Sequence, residues 1–440
     1  MTGEDPRSWL SAAERARSES LNEQFVGVRP QDVPLLVMGM AERGDDLNGP
    51  GAINLYAGTN VMDPKAQALL ATGIATRPSL GHPGDKYEMG LQPAEEIEVL
   101  CLTLLRRVFG CRFGEFRVLS GSMANLMAYM ALARPGDTML SLAEAAGGHA
   151  THRPQGAAGL YGLKVMDVPF DGDSMRVDLD TLHRTATRTF PRIILIGGSL
   201  ALFPYPVREI RAIADEVGAA VMYDGAHLSG LLAAGAFQRP LAEGAHVLTM
   251  STYKSLGGPA GGLIVTDDPA IARRLEAIAY PGLTANFDLA RVAALTVTLA
   301  GWLSFGPDYA RAMQENAHTL ALALATEGLD VAGEQRGYTA SHHVAIRASA
   351  FGGGTHASRL LEGARIFASG IGLPGPEVRG DQNGMRFGTQ EVTRFGMGSA
   401  EMHVIARLIA DRLLARRDVS AIRDDALELR GRFMQIGYTL

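Results

Sequence analysis

The chain has 440 residues, 47% of them hydrophobic, with a formal net charge of −6 and a pI near 6.0. That apolar content suits one large domain plus a smaller one, and the lack of a Lys/Arg-rich run speaks against nucleic acid, whose phosphates require a basic face. The two cysteines, Cys101 and Cys111, stand ten residues apart without CxxC spacing and suggest neither a disulfide framework nor a zinc site.

The chain opens Met-Thr-Gly-Glu-Asp-Pro, without the basic and then apolar stretches of a signal peptide. No stretch reads as an uninterrupted membrane span, so a soluble cytoplasmic protein is expected. Residues 1–50 read as an N-terminal arm. Within it Ser11–Phe25 predicts an amphipathic helix (Leu10, Ala13, Ala16, Leu21), and Pro30, Pro34 and Pro50 interrupt the stretch after it. Such arms either pack on a partner subunit or remain tails. Residues 51–305 predict a large domain of alternating strands and helices. The strands are Phe116–Leu119, Thr138–Ser141, Leu163–Val168, Arg192–Ile196, Ala219–Tyr223, His246–Met250 and Gly262–Val265. They are near-continuous apolar runs, as expected of strands covered on both faces. The helices are Ala94–Phe109, Ala124–Ala133, Val177–Arg188 and Pro206–Val217. This alternation implies an α/β fold with a mostly parallel central sheet covered by helices. A helix-rich connector, Phe287–Ala325, leads into a smaller α+β domain, residues 306–440. Strands are expected there at His343–Arg347 and Met385–Gly388, and a helix at Ser399–Arg416.

The chemistry concentrates where strands end. Asp224 closes one apolar run and Lys254 comes after a later one, in Ser251-Thr252-Tyr253-Lys254-Ser255. A lysine amine and a strand-end carboxylate are what pyridoxal 5'-phosphate (PLP) requires. The amine forms a Schiff base, and the carboxylate keeps the pyridine nitrogen protonated so that the ring accepts electrons. Ser120-Gly121-Ser122 lies between a strand and a helix, where small residues, hydroxyls and a helix N-terminus suit a phosphate. Alone, such a turn is also an ordinary β–α junction. His149, in Gly147-Gly148-His149, could lie against the pyridine ring or be a plain loop histidine. With His152 three residues on, a metal site would be geometrically possible, but no third ligand stands nearby and no metal is expected. Ser199 ends a strand within reach of the cofactor's phenolic oxygen. Arg386, in Met385-Arg386-Phe387-Gly388, is either a guanidinium fork for a substrate carboxylate or a surface strand arginine. In an open α/β sheet ligands collect at the carboxyl ends of strands, where Ser120, His149, Ser199, Asp224 and Lys254 would all meet.

On these residues the chain resembles serine hydroxymethyltransferase and its relatives among fold-type I PLP enzymes, over about Asn54 to Leu413. The matching motifs are Gly81-His82-Pro83-Gly84, Ser120-Gly121-Ser122, Gly147-Gly148-His149, Asp224-Gly225-Ala226-His227, Ser255-Leu256-Gly257-Gly258-Pro259-Ala260-Gly261-Gly262 and Arg386-Phe387-Gly388-Thr389. The resemblance implies Lys254 as the Schiff-base lysine, Asp224 at the pyridine nitrogen and His149 stacked on the ring. It places Ser199 and His227 near the phenolic oxygen, Ser120 to Ser122 and Ser251 in the cofactor site, and Arg386 on the substrate carboxylate. It also implies a homodimer or dimer of dimers with sites completed across the interface, Pro281 to Asn286 reaching the partner's phosphate.

The departures point to a branch of the family. Where the family carries a tyrosine and a glutamate before its Gly-Tyr-Pro-Gly turn, this chain has Pro78 and Leu80. The family's Ser-Glu-Asn reads Gly58-Thr59-Asn60, its paired tyrosines read Tyr87-Glu88, and its histidine before the lysine is Tyr253. Leucine cannot shuttle a proton, so tetrahydrofolate is not expected to be required. Glu88 could instead serve as the base that takes the β-hydroxyl proton and contact substrate, or be a surface glutamate. The expected activity is cleavage or formation of the Cα–Cβ bond of a β-hydroxy-α-amino acid, with an aldehyde as partner. The expected branch is folate-independent and resembles α-methylserine aldolase. The alternatives are a tetrahydrofolate-dependent serine or 2-methylserine hydroxymethyltransferase and a threonine aldolase or transaldolase.

Overall fold

The computed structural model describes residues 9–440, which fall into two units, one ending at Ala52 and one spanning Ile53–Leu440. In the first unit, Ser11 caps helix α1 (Ala12–Phe25). Its hydroxyl accepts from the Glu14 amide while the Glu14 carboxylate accepts from the Ser11 amide, a reciprocal capping box. The expected amphipathic stripe is absent. Glu14, Arg15, Arg17, Glu19 and Glu23 are spread round the helix, and none of its residues is buried. Pro30 and Pro50 lie outside the α-helices, in the break before α2 (Val33–Asn48) and just past its end, while Pro34 does not interrupt as expected. Pro30 opens a 3₁₀ turn, and Pro34 lies in the first turn of α2, where the amide that proline lacks has no intrahelical acceptor in any case.

In the second unit the apolar runs become a seven-stranded sheet: β1 (Phe113–Val118), β2 (Thr138–Ser141), β3 (Lys164–Asp167), β4 (Ile193–Gly197), β5 (Ala220–Asp224), β6 (Val247–Ser251) and β7 (Gly262–Thr266). Their spatial order is β1-β7-β6-β5-β4-β2-β3. Six strands run in one direction, and β7 is antiparallel to both of its neighbours. The α/β architecture with a mostly parallel sheet is therefore as the alternation implied. Strands β4, β6 and β7 are buried along their whole length, which is why they are apolar at nearly every position. β3 is the exception. It is one of the two edge strands, and Lys164, Met166 and Asp167 face solvent while Leu163 and Val168, included in the expected strand, are buried just outside it.

The helices α3 (Gln92–Phe109), α4 (Gly121–Leu132), α5 (Leu179–Thr189) and α6 (Val207–Val217) lie near their expected places. Two of the starts are set by caps. Ser120 accepts from the Met123 amide, so α4 begins three residues before Ala124. Asp178 accepts from the Thr181 amide, so α5 begins after Val177, which pairs instead with Phe170.

Helix α7 (Leu289–Thr326) runs 38 residues without a break, through position 305. Leu289, Val292, Leu295, Leu299, Trp302, Tyr309 and Met313 belong to the core under the large sheet. The buried α7 residues from Ala317 to Leu324 belong to a second core, beneath the antiparallel sheet of β8 (His343–Arg347), β9 (Ser369–Ile371) and β10 (Gly384–Gly388), in the order β8-β10-β9. Ile53 and Leu55 pack in this second core, with Ile53–Asn54 pairing in parallel with Ile366–Phe367. The expected C-terminal helix is α8 (Ser399–Leu413), with α9 (Val419–Gly431) after it. An 18-residue window of α7 reaches a mean hydropathy of 1.4, long and apolar enough for a membrane span, which corrects the expectation that no stretch approaches one. Burial of 72% of that window inside the fold accounts for its composition.

Candidate active site

Strands β4, β5 and β6 are parallel and in register, with Gly197 beside Asp224 and Asp224 beside Thr249. Their carboxyl ends therefore present Ser199, Asp224, Ser251 and Lys254 along one edge of the sheet. Ser120 joins them at the junction of β1 and α4, and Arg386 enters from β10. Two adjoining spaces result. One, of about 450 Å³, is lined by His149, Ser199, His227, Lys254 and Arg386. The other, of about 60 Å³, is lined by Ser120, Gly121, Ser122, Asp224 and Ser251, and shares His149, His227, Tyr253 and Lys254 with the first.

Asp224 is held by three donors. The Ala226 amide donates to Oδ1 at 2.8 Å, while Asn125 Nδ2 and His152 Nε2 each donate to Oδ2 at 2.8 Å. Burial by itself would raise the carboxyl pKa. The His152 bond and the Asn125 bond outweigh it and keep the group well below the usual carboxylate range. His152 Nδ1 accepts from the His149 amide at 3.3 Å, so the ring proton sits on Nε2, facing Asp224. Thr249 in turn orients Asn125, its hydroxyl donating to Asn125 Oδ1 at 2.7 Å. The same asparagine donates to Thr151 Oγ1 at 3.1 Å. Thr151 then donates to His149 Nδ1 from its hydroxyl at 2.8 Å and from its amide at 3.1 Å. With Nδ1 occupied as an acceptor, neutral His149 carries its proton on Nε2. Burial pushes its pKa down to about 4, so it is neutral at pH 7.

Lys254 is buried, and among the described residues it has no ion-pair partner. Its Nζ stands 5.9 Å from the centre of the Tyr253 ring. Burial pushes the amine down to about 8 against the pull of Asp224, with Arg386 adding to the depression. Arg386 is buried too, and its strand pairing with Ala345 and Ser369 turns it into the fold rather than to the surface. One guanidinium nitrogen donates to the Ser199 carbonyl and lies 3.4 Å from His227 Nε2. The other donates to Ser369 Oγ at 3.3 Å. Its Nε is buried without a partner, a donor left for an anion. His227 Nδ1 donates to the Ala57 carbonyl at 3.1 Å, which leaves Nε2 as the acceptor towards Arg386.

The turn at Ser120 is tight. A Cβ on Gly121 would lie 2.3 Å from Ser251 Oγ, so glycine is what lets the first turn of α4 approach the end of β6. The Ser120 hydroxyl accepts from Met123 and keeps its own proton to donate. These residues fit PLP. A buried amine of lowered pKa, an ionised carboxylate, and a helix N-terminus with hydroxyls for a dianion surround adjoining spaces, and Arg386, whose buried Nε has no partner, lines the larger one.

Not every expected residue meets there. Neither space is lined by any residue of 78–90. Within one chain the Glu88 carboxylate accepts from the Leu80 amide at 3.1 Å. Conversely, Asn125, Thr151 and Thr249 carry no functional signal in the sequence, and nothing there ties His152 to Asp224. Asn125 and His152 lie close behind the Ser120-Gly121-Ser122 and Gly147-Gly148-His149 motifs, but nothing in their spacing shows that they converge on Asp224. His152, a conceivable metal ligand by spacing, is committed to that carboxylate.

The sequence pattern of the serine hydroxymethyltransferase family matches residues 46–409. An alpha-methylserine aldolase of Ralstonia sp is 46% identical over 432 residues, covering 98% of this chain and 99% of its own. A serine hydroxymethyltransferase of Methanopyrus kandleri is 41% identical over 386 residues, covering 87% and 90%. Among solved structures, an L-threonine transaldolase from Pseudomonas fluorescens superposes with a TM-score of 0.84 at 24% identity over 96% of both chains, a likeness of fold. The chain belongs to the serine hydroxymethyltransferase family and is a fold-type I PLP enzyme.

Proposed function

We propose that this member of the serine hydroxymethyltransferase family cleaves and forms the Cα–Cβ bond of α-methylserine or a closely related β-hydroxy-α-amino acid without folate. The observation that carries the reading is one continuous cavity holding the buried Lys254 amine and the buried Arg386 with its unpartnered Nε. The similarity to alpha-methylserine aldolase along nearly the whole chain supports the choice of substrate. Leu80, which cannot carry a proton, supports independence from folate.

Bound PLP supplies an electron sink conjugated to the substrate α-carbon. Lys254 anchors the cofactor, and its depressed pKa makes the free amine available near neutrality. Ionised Asp224 keeps a proton on the ring nitrogen, and His152 and Asn125 keep Asp224 in place. Ser120, Gly121, Ser122 and Ser251 would hold the phosphate, Ser199 and His227 would serve the phenolic oxygen, and His149 would cover the ring. Arg386 grips the substrate carboxylate. Glu88 takes the β-hydroxyl proton, the Cα–Cβ pair passes to Cα, and the β-carbon leaves as an aldehyde. A proton delivered to Cα then gives alanine from α-methylserine or glycine from serine. Since Glu88 does not reach the cavity of its own chain, this role requires a homodimer in which one copy lends the segment to the other. Pro281 to Asn286 would approach the partner's phosphate in the same assembly.

A second reading, tetrahydrofolate-dependent hydroxymethyl transfer, is favoured by the similarity to a serine hydroxymethyltransferase. Anaerobic turnover of α-methyl-L-serine and L-serine, with and without tetrahydrofolate, separates the two. Formaldehyde with alanine or glycine in the absence of folate is the expected result. Product formed only with folate would replace the first reading by the second.

A further inference from the structure

The wall of the larger cavity that carries Tyr56, Gly58 and Thr59 has no role in the chemistry above, yet it is held by a dense set of hydrogen bonds. Gln390 Nε2 donates to the Tyr56 carbonyl at 2.9 Å and to the Thr59 carbonyl at 2.7 Å. The Tyr56 amide donates to Asn54 Oδ1 at 3.0 Å, and Asn54 Nδ2 donates to the buried Glu391 carboxylate at 3.0 Å. Gln390 and Glu391 come just after β10, the strand that carries Arg386, so one segment positions both the guanidinium and this loop. The Tyr56 ring lies over Gly58. A Cβ at position 58 would come within 2.7–2.8 Å of the end of the ring and its hydroxyl. Tyr56 lines the same cavity as Arg386 and Tyr253.

We propose that Tyr56 is a specificity-determining residue of this cavity: its ring, seated on Gly58 and carried by a backbone that Asn54, Gln390 and Glu391 hold in place, walls the space beside Arg386 and limits the size of the amino acid admitted. The inference rests on reading the cavity as an amino-acid site. A pocket wall acts by contact area and exclusion, so its removal weakens a small ligand and admits a larger one. Gly58 is required because any side chain there pushes the ring off its seat. The flexible ring yields before the backbone does, so a Gly58→Ala protein should still fold.

The test uses holoenzyme, titrated with α-methyl-L-serine and with phenylserine while the cofactor's visible spectrum is followed. Tyr56→Ala is expected to weaken α-methylserine binding roughly tenfold and to bring phenylserine into the measurable range. Tyr56→Phe, which keeps the ring, should stay within about threefold of wild type. Gly58→Ala should weaken α-methylserine binding in the wild-type background and have no further effect in a Tyr56→Ala background, because the clash is gone. Unchanged affinities for both ligands in Tyr56→Ala, or additive effects of the two substitutions, would overturn the role of Tyr56. If wild-type holoenzyme shows no spectral response to either amino acid, the amino-acid reading of the cavity fails first and the inference falls with it.

Discussion

At the scale of single residues, the chemistry depends on charges kept out of water. Lys254→Ala should abolish both the cofactor's protein-bound visible absorbance and turnover, and normal catalysis by that variant would refute the proposed function. The free lysine also predicts a pH effect. Burial lowers its pKa from 10.5 to about 8, so between those values the unfolded chain binds more protons than the folded one. Apoenzyme stability should therefore rise as pH climbs from 8 towards 10.5, and Lys254→Met should remove this slope from thermal melts. The rate of PLP uptake by apoenzyme should rise with pH up to about 8, as the amine loses its proton. His152 offers a test of the hidden network. His152→Ala removes a donor to Asp224 without touching either space and should weaken PLP retention by roughly tenfold, measured by equilibrium dialysis against free cofactor.

At the scale of elements, two contacts between segments matter most. The close approach of α4 to β6 depends on Gly121. Gly121→Ala should disturb the phosphate turn by roughly 1–3 kcal/mol of overpacking, read as lost PLP affinity, and Ser251→Gly should recover part of it by vacating the space. The second contact is the Glu391 clamp. Burial raises its carboxyl pKa to about 7 despite the Asn54 bond. Between 4.5 and 7 the folded state thus holds more protons than the unfolded one, and this group's stabilising contribution declines as pH rises through that range. Glu391→Gln keeps an oxygen for Asn54 and should flatten that decline in a melting-temperature series from pH 4.5 to 8. The helices and strands around these contacts were largely legible from apolar periodicity. Their starts at Gly121 and Leu179 were not, because a cap is a hydrogen bond chosen by Ser120 or Asp178 and not a feature of the apolar pattern.

At the scale of the whole molecule, the proposed role of Glu88 demands a second copy. Mixing Lys254→Ala and Glu88→Gln subunits tests it. If the carboxylate acts across the interface, each mixed dimer regains one intact site, and a random mixture recovers about a quarter of wild-type activity. If both groups must belong to one chain, the mixture stays inactive. The α/β class, the order of strands along the chain and the set of strand-end groups could be read directly, because burial on both faces writes apolar runs into the chain and ligands gather at the carboxyl ends of parallel strands. Lys254, Asp224, His149 and Ser199 stood out for that reason. Other features needed the folded molecule. The antiparallel β7, the commitment of His152 and Asn125 to Asp224, and the absence of Glu88 from its own cavity depend on which segments pack together. Hydrogen-bond partners such as Asn125 and Asp224 are 99 residues apart, and local sequence carries no signal for a pairing that only tertiary packing creates.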